Sequence, residues 1–148
     1  MNRIVFSFII GLAVLILIIS STTVNLHSKP TRITVESATN NGDIVVNHGK
    51  VYNLSKLDNF IEDVRIGNTS KIQIIQFTIE GDPIVQKLEF DNNTIKYSID
   101  TSEDRYGGNY NLVIEATQLT KVDSENVFDY FLIDSAGNKT NILTASKY

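Results

Sequence analysis

Cysteine is absent from all 148 residues, which removes a disulfide framework, a thiolate zinc site, a cysteine nucleophile and a lipid-modified N-terminal cysteine. Histidine is scarce: His27 and His48 stand alone, and no HxH or HExxH spacing offers a metal its ligands. Basic residues number 13 against 17 acidic ones, a net charge of -4, with no Lys/Arg cluster. That balance argues against a nucleic-acid footprint and a polybasic lipid-binding patch. GxSxG and SxxK are missing, as are the phosphate-cradling GxGxxG and GxxxxGK[ST]. No catalytic residue, metal ligand or cofactor therefore follows from a motif.

The chain does contain one long apolar run, Ile4 to Ile19, IVFSFIIGLAVLILII, interrupted only by Ser7 and Gly11 and preceded by Arg3. Positive charge before the run, and none after it until Lys29, places the N-terminus in the cytoplasm and sends the rest outward. Extended uncharged to Leu26, the segment is roughly 23 residues long, enough to cross about 30 Å of hydrocarbon. The spacing predicts a retained signal anchor over 1–26, giving a single-pass cell-membrane protein with its domain outside. The competing expectation is a cleaved signal peptide and a secreted product, although no A-x-A motif follows the run.

Beyond it, 27–41 is poor in large apolar residues and reads as a tether with a short strand at Arg32 to Glu36. Residues 42–148 read as an extracytoplasmic α+β domain. Its clearest element is an amphipathic helix: Leu54, Leu57, Phe60, Ile61 and Val64 share about 120° of arc at 100° per residue. Asn53 is the expected N-cap and Gly67 the left-handed stop. Before it, the chain from Asp43 reads as a strand or a short hairpin turning at Asn47 to Gly49. After it, Lys71 to Glu80 alternates with one flip of parity between Ile74 and Ile75, predicting a bulge or burial on both faces.

Ile84 to Phe90 and Thr94 to Asp100 form a hairpin about Asp91-Asn92-Asn93. Tyr110 to Glu115 is a strand, Ala116 to Asn126 a short helix or loop, and Val127 to Ile133 a central strand that turns at DSAGN into Lys139 to Leu143. The predicted fold is one amphipathic helix packed on an antiparallel sheet of five or six strands, preceded by a transmembrane or signal helix.

Candidate binding residues sit in two turns. Glu80-Gly81-Asp82-Pro83 leaves a strand rigidly, since Pro83 holds Asp82 extended and Gly81 permits positive φ. Asp104-Arg105-Tyr106-Gly107-Gly108 combines charge, an aromatic ring and a backbone that a partner can approach closely. Glu80, Asp82, Asp104, Arg105 and Tyr106 are thus the expected binding set. An opposing expectation makes Glu80, Asp82 and Asp104 the acid/base groups of a small hydrolase or lyase. His48 beside Asp43 is the one histidine–carboxylate pairing on offer, and Phe128, Tyr130 and Phe131 fit sheet packing.

The segments NGDIVVNHGKVYNLSKLDNFIEDV, TIEGDPI (Thr78 to Ile84) and IKYSID...DRYGG (Ile95 to Gly108) together resemble a functionally uncharacterised domain family. Its members are small exported proteins, many of them lipoproteins, of spore-forming Gram-positive bacteria. The resemblance implies location and fold, and no activity. One departure is informative: where such lipoproteins carry an acylated cysteine, Leu17-Ile18-Ile19 is followed by Ser20. Attachment then falls to the apolar helix itself. The function expected is a non-catalytic binding module at the cell envelope, contacting the membrane through its N-terminal helix and an envelope or protein partner through its turns or a sheet edge, without nucleic acid.

Overall fold

The computed structural model describes residues 32–148. The apolar run, His27 and the tether as far as residue 31 lie outside them. Among the described residues no helix is long and apolar enough to cross a membrane.

The chain enters as a helix where a strand was expected. Thr34, extended at φ -119 and ψ 158, caps α1 (Val35–Asn41). Its Oγ1 accepts from the Ser37 amide at 3.1 Å, while the Ser37 hydroxyl oxygen accepts from the Thr34 amide at 3.0 Å. This reciprocal box overrides the β-branched look of Ile33, Thr34 and Val35. Gly42 at φ 83 ends the helix, with the Gly42 and Asp43 amides returning to Thr39 and Ala38 carbonyls. The folded unit accordingly runs from Ile33 to Tyr148 and takes in the end of the segment read as tether.

Of the strand and the short hairpin that the sequence allowed, β1 (Ile44–Asn47) and β2 (Lys50–Tyr52) form the hairpin, turning through His48 and Gly49 at φ 48 and 79. Helix α2 (Ser55–Ile66) then crosses over so that β3 (Ser70–Phe77) runs parallel to β1, Ile44 beside Ile74 and Val45 beside Ile75. β4 (Pro83–Asp91), β5 (Thr94–Asp100) and β6 (Asn111–Ala116) follow antiparallel, completing a six-stranded sheet ordered β2-β1-β3-β4-β5-β6. The β4–β5 turn is the predicted one, with Asn92 and Asn93 both left-handed.

Three expectations need correction. The sheet is not purely antiparallel, because the α2 crossover makes β1 and β3 parallel. The stretch read as helix or loop is β7 (Gln118–Asp123), and with β8 (Val127–Ile133) and β9 (Lys139–Ser146) it builds a second, three-stranded sheet in which β8 is central. Only Thr117 separates β6 from β7, its amide donating to the Ile133 carbonyl at 2.8 Å, so the chain leaves one sheet for the other within a residue. Finally, Asn53 is not the cap of α2. It is left-handed at φ 56, Leu54 takes the cap position, and the Asn53 side-chain Nδ2 donates to the Thr39 and Asp43 carbonyls at 3.1 and 2.8 Å.

Two cores lie on opposite faces of the large sheet. On one, Leu57 and Phe60 of α2 meet Ile44, Ile74 and Leu88, and the small sheet adds Tyr130 and Leu132. On the other, Ala38 of α1 covers Val45, Ile75 and Phe77. The parity flip in β3 is therefore burial on both faces, and the β3–β4 register passes through it without a bulge.

Candidate functional site

The two turns singled out by sequence meet at one end of the large sheet. The turn after β3 is closed by its own backbone: the Thr78 amide donates to the Asp82 carbonyl at 2.9 Å, and the Gly81 amide donates to the Thr78 carbonyl at 3.0 Å. Gly81 is left-handed at φ 81. Asp82 leaves this turn with only 2 % of its surface exposed. Its carboxylate receives Arg105 Nε at 3.0 Å on both oxygens, Arg105 Nη2 at 2.9 Å and the Arg105 amide at 3.2 Å. A guanidinium fork on a buried carboxylate is the strong form of such a pair. These hydrogen bonds and the Asp82 charge, with smaller contributions from Tyr106 and Glu80, raise the Arg105 guanidinium above its ordinary range.

The 101–110 loop is held at further points. Buried Thr101 places its Oγ1 2.6 Å from the Gly108 carbonyl oxygen and accepts from the Tyr110 amide at 3.0 Å. Asp104 Oδ1 accepts from the Tyr106 and Gly107 amides at 3.0 and 2.9 Å. A side chain at Gly107 would press its Cβ against that carboxylate, at Asp104 Oδ2. So anchored, the loop leaves Tyr106 74 % exposed, with the Arg105 guanidinium 5.6 Å from its ring centroid.

Of the five expected binding residues, the structure joins Asp82 to Arg105 and Arg105 to Tyr106. Asp104 shapes its own loop, and Glu80 stands exposed on the facing turn. This geometry suits presentation better than proton transfer: Asp82 is committed to a guanidinium, and Asp104 Oδ1 to two amides.

Residues 41–130 match the family described as domain of unknown function DUF4362. The chain belongs to that family. The DUF4362 match takes in both turns and ends within β8, while α1 and β9 lie almost wholly outside it. No curated protein and no solved structure matches the chain.

Two further clusters in this DUF4362 chain escaped the sequence reading. Asp43 faces Lys56 and Gln73 rather than His48, in a cleft of about 260 Å³ that Lys71 also lines. Burial raises the Asp43 carboxyl above the usual range, and Lys56 and a Gln73 hydrogen bond oppose the rise. On the small sheet, the Tyr130 hydroxyl donates to Asp58 Oδ1 at 3.1 Å, and Lys121 Nζ approaches the same oxygen at 3.0 Å while lying 4.1 Å from the Phe128 ring centroid. Burial, then the Asp58 charge and hydrogen bond, push the Tyr130 hydroxyl well above the ordinary phenol range. The partners lie 72 and 63 residues apart, which no local pattern signals.

Proposed function

We propose that this DUF4362 chain is a non-catalytic interaction module at the outer face of a Gram-positive cell membrane, held there by its N-terminal apolar segment. The observation that carries the interaction reading is the fixed loop: the ion pair of exposed Arg105 with buried Asp82 and an Asp104-capped turn hold Tyr106 out in solvent. A large aromatic ring on an immobilised backbone loses little conformational entropy on contact, which suits recognition of a protein or envelope surface. Support for the anchor comes from the uncharged stretch Ile4 to Leu26 and from the missing lipid-acceptor cysteine.

A photo-crosslinking residue at Tyr106 of the full chain, in intact cells, tests the contact. A discrete adduct that disappears in Asp82→Asn is expected, and labelling no greater than from an exposed control at Lys139 overturns the reading. Carbonate extraction and external protease test the anchor separately. Membrane-retained, externally digested chain is expected; a shortened chain recovered from the medium overturns retention.

A further inference from the structure

We infer that β6 is an interaction surface for a second copy of this chain, which it engages by antiparallel pairing about a two-fold axis at Val113. The inference goes beyond the loop reading above and does not depend on it. β6 ends the six-stranded sheet, so one side of its backbone has no neighbouring strand among the described residues. A free edge is usually guarded by shortness, charge or proline. The other edges here are guarded: β2 is three residues long and carries Lys50, β7 carries Lys121 and Asp123, and β9 opens with Lys139. β6 is less guarded: its one charge, Glu115, stands next to its last residue, Tyr110 to Ile114 reads YNLVI, its register with β5 is regular, and Tyr110, Leu112 and Val113 are 53, 41 and 56 % exposed.

The strand's own residues select the occupant. Pairing centred on Val113 sets Leu112 against Ile114 of the second copy, extending the apolar row that Ile99–Leu112 and Tyr97–Ile114 form within each sheet. On the opposite face it sets Glu115 against Asn111, an acceptor against an amide donor, with Lys96 already beside Glu115 on β5. Centring on Glu115 would oppose two carboxylates, and centring on Ile114 would set Glu115 against Val113. The Val113 register alone keeps every rung apolar or complementary, and because an isologous contact closes on itself it yields a dimer with one continuous sheet.

The absence of cysteine makes the test clean. Opposed residues in an antiparallel pair have Cα atoms about 4.5–5.5 Å apart, within disulfide range. In the full chain in mild detergent under gentle oxidation, Val113→Cys is expected to give a covalent dimer at least tenfold faster than Lys96→Cys on the neighbouring strand. Leu112→Cys alone should crosslink poorly yet join Ile114→Cys on mixing, and adding Tyr106→Ala to Val113→Cys should change nothing. Equal rates at positions 113 and 96, self-crosslinking at 112 as fast as at 113, or capture of a different polypeptide would each overturn the inference.

Discussion

Single residues decide where this chain turns and where its polar groups can be buried. Gly42 is the sharpest case, because it is left-handed at φ 83 and a Cβ there would lie 2.6 Å from Lys56 Nζ. Gly42→Ala is expected to cost about 1 kcal/mol or more in urea unfolding, mostly as backbone strain since Lys56 can swing away. Tyr97 is buried with its hydroxyl donating to Gln86 Oε1 at 2.8 Å, and burial pushes its pKa up to about 12, with the field of Tyr110 adding to it. The unfolded phenol ionises near 10. The native state therefore keeps a proton that the unfolded chain loses. This contribution is fully present below about pH 10 and is lost as pH rises towards 12. Unfolding free energies measured across that window should fall less steeply in Tyr97→Phe than in the parent; an unchanged slope would show that Tyr97 is not the titrating group. Below pH 9 the same variant should lose about 1–2 kcal/mol, because Gln86 forfeits a buried hydrogen bond.

Elements were legible wherever their signal was local. The apolar spacing of α2, the left-handed asparagines of the β4–β5 turn and the alternation of both long hairpins needed only neighbouring residues. α1 failed that test because Ile33 and Val35 look like strand, and its seven residues are stabilised by a cap and by the sheet beneath. β3 shows the limit from the other side. Its parity flip was visible, but burial on both faces became definite only when α1 and α2 were placed. Ile75→Ala should thus cost as much as Ile74→Ala, about 2–5 kcal/mol each by chemical denaturation. A value near zero for Ile75 would mean that α1 does not cover that face.

For the whole molecule, the boundary at Ile33 carries energetic content. A chain starting at Asp43 would lose α1 and uncover Val45, Ile75 and Phe77. Relative to one starting at Ile33, it should be less stable by roughly 2–4 kcal/mol, since a buried Val or Ile side chain contributes about 1.5–3 kcal/mol. Thermal unfolding of the two chains measures the difference, and equal midpoints would return 33–41 to the role of tether. The candidate site divides in the same way. Turn chemistry alone marked the Glu80–Pro83 and Asp104–Gly108 segments, but the bond between them spans 23 residues of sequence and depends on β4 and β5 bringing their ends together.

By itself the sequence determined the apolar N-terminal run, the absence of thiol chemistry, helix α2 and the principal hairpins. Each of these is a matter of composition or of spacing within one element. Tertiary structure alone decided that β7 belongs to a second sheet, that β1 and β3 run parallel, and that Asp82 is an ion-pair anchor. Those outcomes depend on which distant segments become neighbours. Hydrophobic periodicity says which side of an element is buried and carries no label for the partner that buries it.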